Sequence, residues 1–295
     1  MIKPLFKWAG GKSKMLKYYQ PYMPQTPVNT YSEPFFGGGA MFAHVIERYN
    51  PQEVWINDIN SDIINVYRSI AYDFAVFCQC LQQLSQQYLQ GNYDQRRAYY
   101  YKIRDEHAWD WQKWSQTEQA AVLYFLMRTG FNGIWQINKN TNNRYGTPCG
   151  LLTETQVYDA DNLQAWHDVF QQRQVHISTG DWSQVPICDF VFCDPPYRDS
   201  FADYNQPFSD EQLLKLIKVV ETNDNVWLCN RDSGDGFFDN VQANVVKIPV
   251  TYTAGRRKKT QDGFQAKKAT EVLIFRNQQP ASPNANLFYQ EPTHG

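Results

Sequence analysis

The chain has 295 residues, 42% of them hydrophobic, which is enough for one large domain or two modest ones with a real core. A net charge of -2 excludes a uniformly basic nucleic-acid binder but not a local basic face. The six cysteines form no CxxC pair, the five histidines are scattered, and the chain has neither an apolar signal region at its start nor an apolar run of membrane-spanning length, so a cytoplasmic protein without metal or membrane is expected.

Phe6-Lys7-Trp8-Ala9-Gly10-Gly11-Lys12 comes first. Its GGK looks like a truncated phosphate loop, but Phe6 stands where the leading glycine of such a loop belongs, so an NTPase is rejected. Trp8 and Lys12 can instead bracket a small zwitterion, with Lys12 against its carboxylate; a core Trp beside a surface Lys is the plainer alternative. A strand over 28–32 runs into Glu33-Pro34-Phe35-Phe36-Gly37-Gly38-Gly39 and a helix-like AMFAHVIERY. Glycines between strand and helix let the backbone approach a ligand closely, although a helix-entry turn has the same pattern. Val54-Trp55-Ile56 is a strand ending at Asn57 and Asp58, where open α/β sheets place a ribose-binding carboxylate.

Residues 62–89 have helical spacing at Ile63, Val66, Tyr67 and Ile70. Residues 117–127 read as a buried helix with Ser115 as N-cap and Glu118 completing a capping box. Residues 131–150, rich in Asn and Gly, have loop chemistry and exceed a plain connection in length. Strands follow at 175–178, ending at Gly180-Asp181, and at 189–193, ending at Asp194. A helix over 209–221, with Ser209 and Gln212 as a capping box, precedes strands at 226–229 and 271–275. Cys188, Cys193 and Cys229 read as buried free thiols. Strands alternating with helices mean a parallel sheet. Because this signal flanks a helical, loop-rich middle, one discontinuous α/β domain (1–64 and 170–277) with an inserted domain (65–169) is expected, with a disordered tail at 278–295.

Asp194-Pro195-Pro196-Tyr197 sits at the carboxyl end of its strand, the ligand edge of such sheets, although a bare turn would use the same residues. The set suits chemistry on an exocyclic amine. The N6 of adenine is a poor nucleophile because its lone pair is delocalised into the ring. The Asp194 carboxylate and the Pro195 carbonyl can accept its two hydrogens, Tyr197 can offer a ring face, and the remainder is orientation.

FKWAGGKSKML, EPFFGGGAMF, Asp58 after its strand, YFLMRTGFNG and DPPY occur in the order found in the Dam-type, class alpha (D12 group) adenine-N6 DNA methyltransferases, and over residues 6–197 the chain resembles that group. ATEVLIF near the last strand is a weaker echo. The resemblance implies a Rossmann-like methyltransferase sheet with an inserted, mainly helical DNA-recognition domain. It implies methyl transfer from S-adenosylmethionine, leaving S-adenosylhomocysteine, to adenine N6 in a short site of double-stranded DNA after base flipping. Trp8 and Lys12 would contact the methionine part of the cofactor, and Phe35 with the Gly37–Gly39 turn would border it. Asp58 would bind the ribose hydroxyls, and Asp181 would lie near the cofactor adenine. Asp194, Pro195, Pro196 and Tyr197 would hold the flipped base, with Asp194 also adjoining the cofactor. Phe131 and Asn132 would enter the duplex.

The chain departs from the group at Ile134-Trp135-Gln136, since enzymes of GATC specificity carry an arginine shortly after the FNG-like turn. Gln136, Asn138 and Arg144 are the expected base readers, because Gln and Asn pair with adenine and Arg with guanine; a polar loop meeting phosphate and water is the alternative. Arg256-Arg257-Lys258-Lys259 is read as a phosphate-contacting loop rather than a solvated hairpin tip. Methylation of cytosine N4 or of RNA is the rival enzymatic reading. A DNA-binding regulator on a dead methyltransferase fold is the non-enzymatic one, opposed by intact Lys12, Asp58, Asp194, Pro195 and Tyr197.

Overall fold

The computed structural model describes residues 2–8, 11–198, 208–252, 259–260, 263–264 and 267–276. Among them, seven strands form one sheet: β1 Thr30–Glu33, β2 Glu53–Asp58, β3 Gln174–Thr179, β4 Phe190–Cys193, β5 Val226–Asp232, β6 Asn244–Tyr252 and β7 Lys267–Phe275. The order across it is β3-β2-β1-β4-β5-β7-β6. The first five strands in that order run parallel, and β7 lies antiparallel between β5 and β6. Alternate residues of β4 feed two apolar cores. Phe190 and Phe192 pack with Tyr31 and Trp227 on one side, while Val191 and Cys193 pack with Leu213, Leu216 and Ile217 on the other. Pro249 is accommodated because β6 is an edge strand, where a missing N–H breaks no central ladder.

The longer helices are α1 Ala40–Tyr49, α2 Ser61–Tyr72, α3 Phe74–Leu89, α4 Tyr93–Trp109, α5 Gln116–Thr129, α6 Ala160–Gln171 and α7 Asp210–Thr222. The continuous helical pattern over 62–89 is divided at Asp73, whose φ of -131° and ψ of 35° are not helical. The Asp73 carboxylate accepts a hydrogen bond from the Thr117 hydroxyl at 3.2 Å, which ties the break to the first turn of α5. Both expected capping boxes form, at Ser115/Glu118 and Ser209/Gln212. A third, Asn92/Gln95, starts α4.

The apolar core does not stop at the sheet. Phe42 of α1 stacks on Trp166 of α6 at 5.3 Å and 11°. Trp166 and Phe36 both meet Tyr67 of α2. Phe6 meets both Tyr67 and Tyr124 of α5. Cys188, Cys193 and Cys229 are buried and unpaired. Among the described residues no helix is long and apolar enough to cross a membrane.

Candidate active site

Four segments converge at the carboxyl edge of the parallel strands, where the strand order turns back between β1 and β4. β1 delivers Glu33 and the turn 34–39. Gly37 (φ 50°) and Gly39 (φ 69°) take left-handed conformations there. A side chain at either would also collide: a Cβ on Gly37 would come within 2.7 Å of the Trp8 indole nitrogen, and one on Gly39 within 2.8 Å of Trp166. Trp8 is thereby seated against the glycine turn.

β2 delivers Asp58. Its Oδ2 accepts the Gly37 N–H at 2.8 Å and its Oδ1 the Asn60 N–H at 2.9 Å. Burial raises its pKa against these bonds. Each oxygen keeps further acceptor capacity. Ile59, the next residue, is 66% exposed, an apolar side chain left at the ligand edge. β3 delivers Gly180, above which a Cβ would meet nothing within 4 Å, and then Asp181, which caps the turn Trp182–Gln184. Its carboxyl is held below the usual range by hydrogen bonds from Ser183. Phe35 stacks on Trp182 at 6.2 Å and meets Phe208 edge-on at 5.5 Å.

β4 delivers Asp194. Its Oδ2 lies 2.7 Å from the Lys12 ammonium; the Lys12 side chain is 3% exposed and that of Asp194 22%. Burial drives the Asp194 pKa up to about 6, although Lys12 pulls against it. For Lys12, burial works to lower the pKa, but Asp194 and Glu271 outweigh it and the net shift is upward. The same ammonium stands 4.8 Å from the centre of the Tyr197 ring. Lys12, Asp194 and Tyr197 therefore form one cluster, beside a glycine turn and a buried carboxylate.

The family description "D12 class N6 adenine-specific DNA methyltransferase" matches residues 8–249. The chain belongs to that family. It is 29% identical to the type II methyltransferase M.MjaIII of Methanocaldococcus jannaschii over 76% of this chain and 81% of that protein. It is 27% identical to the type II methyltransferase M1.LlaDCHI of Lactococcus lactis subsp. cremoris over 92% and 95%, and 26% identical to the DNA adenine methylase of Escherichia coli K12 over 95% and 98%. The sheet and its covering helices are thus those of a Rossmann-like methyltransferase, and the reaction is methyl transfer to adenine N6 in DNA.

In this methyltransferase, residues 131–150 close into a hairpin. Ile137–Asn138 pairs with Arg144–Tyr145, and a bridge joins Gly130 to Cys149. Phe131 is 44% exposed at its base, and Asn132 adopts φ 55°, which Asn tolerates better than most side chains. Gly133 packs so closely on Lys7 that a Cβ would meet the Lys7 Cβ at 2.8 Å, and Trp135 lies 6.3 Å from Trp8. The hairpin therefore adjoins the segment that carries Lys12. Gln136 is exposed. The Asn138 side-chain oxygen caps the turn Lys139–Thr141 by accepting the Asn140 N–H at 2.8 Å. Arg144 turns inward: its guanidinium reaches Asp62 at 3.2 Å and lies 4.7 Å over the Trp111 ring. Arg256, Arg257 and Lys258 lie outside the described residues; Lys259 opens a two-residue strand paired with residues 263–264.

Several residues of the cluster were not anticipated. Glu271, 2% exposed on β7, accepts the Tyr197 hydroxyl at 3.0 Å. Asn230 of β5 accepts the Arg198 N–H at 3.2 Å. Arg198 itself is clamped by Asp210 and Asp235, at 2.8 Å each. The sequence signal for Glu271 was a lone acid in an otherwise apolar strand; Asn230 and Arg198 carried none.

Proposed function

We propose that S-adenosylmethionine is the methyl donor, bound along the carboxyl edge of β1, β2 and β3, and that the target adenine is flipped from duplex DNA onto the Asp194–Tyr197 turn. The residues there suit that donor. The glycine turn leaves no room for side chains, Asp58 offers a buried carboxylate to hydroxyls, Ile59 offers apolar surface, and the space above Gly180 is open. Trp8, Lys12, Phe35, Gly37, Gly39, Asp58 and Asp181 would hold it; when bound, it supplies an electrophilic sulfonium methyl. Asp194 and the Pro195 carbonyl accept the two amino hydrogens of adenine and localise the lone pair on nitrogen. Pro195 and Pro196 stiffen the turn that carries both acceptors. Lys12 opposes the effect of burial and keeps Asp194 ionised. Tyr197 offers a ring face to the flat base.

Phe131 and Asn132 would fill the gap left by the extruded base, with Gln136, Asn138 and Arg144 as base readers and the run 256–259 on phosphates. Residues 65–169 would serve as the recognition domain. The observation that carries the proposal is the Asp194–Lys12 pair at the ligand edge, with Asp194 still partly open. An Asp194→Ala variant should lose at least about 10²-fold in methyl transfer to duplex DNA while still binding S-adenosylmethionine in a calorimetric titration. Turnover near the wild-type rate would remove Asp194 from the active site.

A further inference from the structure

We infer that Glu271 is a positioning residue for the reaction: through the Tyr197 phenol it fixes the ring that receives the target base, from a strand outside the parallel set. The inference rests on the reading of residues 194–197 as the catalytic turn.

Glu271 lies on β7, which runs antiparallel to β5. The residues after it, Val272, Leu273, Ile274 and Phe275, are all buried and apolar. A carboxylate in such a run is costly unless it meets donors or a cation. It meets both: the Tyr197 hydroxyl donates to it at 3.0 Å, and Lys12 is close enough for Glu271 to raise its pKa. A buried phenol alone would need only a water or a carbonyl oxygen. A carboxylate makes the bond charge-assisted and stronger than a neutral one. A second anchor acts one residue on, where Asn230 accepts the Arg198 N–H. Asn230 pairs with Val272 and Arg231 with Glu271, so both anchors sit at adjacent positions of two paired strands. The Lys12 ammonium stands 4.8 Å from the ring centre. The ring is thus held at its tip, beside its ammonium neighbour and at its following peptide before any base arrives, and this is orientation established in advance.

Tyr197→Phe keeps the ring and removes the hydroxyl that Glu271 holds. It should lower kcat by about 10-fold or more with the KM for S-adenosylmethionine unchanged. Glu271→Ala should cause the same loss, the double variant should be no slower than either single one, and Glu271→Gln, whose amide oxygen still accepts but carries no charge, should recover part of the rate. Wild-type kcat in Tyr197→Phe, losses that multiply in the double variant, or a Gln variant as slow as the Ala variant would overturn the inference. Melting temperatures check folding, and if Glu271→Ala does not fold, Glu271→Met takes its place, because the Tyr197 side chain also hydrogen-bonds Asp194 and Tyr197→Phe does not isolate Glu271. Asp194→Ala in the same assay separates the two levels of failure. If it stays active, the catalytic turn is misplaced; if it is dead while Tyr197→Phe is unimpaired, only the role of Glu271 falls.

Discussion

Asp194 has two demands on it. On the proposed mechanism it would have to be ionised to accept a hydrogen from an amino group, yet burial, opposed by Lys12, brings its carboxyl up to about 6. Above that value the carboxylate is present and kcat/KM, which reports the free enzyme, is level; below it the acid form accumulates and kcat/KM falls. Labelled-methyl transfer measured across pH should show an acid limb near 6, falling about tenfold per unit where the protonated form dominates. A level profile well below that range would mean that Asp194 does not titrate in the rate. Lys12→Met removes the cation that opposes burial, so the limb should move to higher pH; a shift to lower pH would contradict the pairing. Asp58 makes a different prediction, because its carboxylate also fastens Gly37 and Asn60. Hydrogen bonds to a charged group contribute about 1.5–3 kcal/mol, so Asp58→Ala should weaken S-adenosylmethionine binding by about 10-fold or more while leaving DNA affinity nearly unchanged. An unchanged cofactor titration would take Asp58 out of the site.

The hairpin over 131–150 divides its expected readers into two kinds. Gln136 is exposed. Arg144 can reach a guanine only by leaving Asp62 and the Trp111 ring. Gln136→Ala should therefore relax one position of the recognition site, at about 1–3 kcal/mol, without changing the melting temperature. Arg144→Ala should lower stability by about 1 kcal/mol, as for a partly exposed ion pair. Methylation profiles over a random-site duplex library, together with melting curves, test both; a Gln136 variant with the wild-type site preference would move the reading surface elsewhere. The sequence could show this element only in part. Strand ends and caps were legible because their signals are local, as at Asp58, Asp194, Ser115/Glu118 and Ser209/Gln212. The α4 helix was not, because its inward face at Tyr100, Ile103 and His107 is mostly aromatic and polar and produces no apolar stripe. The contacts of Arg144 with Asp62, of Lys12 with Asp194 and of Tyr197 with Glu271 join residues far apart in the chain, and no spacing rule reaches that far.

At the scale of the molecule, the sheet and the helical middle share their aromatic core. Trp166 is fully buried among Phe36, Phe42 and Tyr67, so Trp166→Ala should cost about 3–5 kcal/mol. Unfolding of both halves should be one event, with aromatic circular dichroism and helix content melting together; two separated transitions would show that the halves fold independently. Charge poses the remaining question of scale, because a chain of net charge -2 must still hold a polyanion. Several cations are already committed: Lys12 to Asp194, Arg144 to Asp62, and Arg198 to Asp210 and Asp235. The proposed reading assigns phosphate neutralisation to exposed side chains such as Lys7 and Lys139 and to the basic run 256–259, which lies between β6 and β7 in the chain. Every cation removed from a phosphate should reduce the slope of log affinity against log salt by about 0.9, without altering which sequences are methylated. Neutralising Arg256, Arg257, Lys258 and Lys259 to Gln should therefore weaken all duplexes alike and flatten that slope, as read from affinities at several salt concentrations on target and non-target DNA. A slope that stays as steep would place the run away from the phosphates, and a changed site preference would make it a reader of bases.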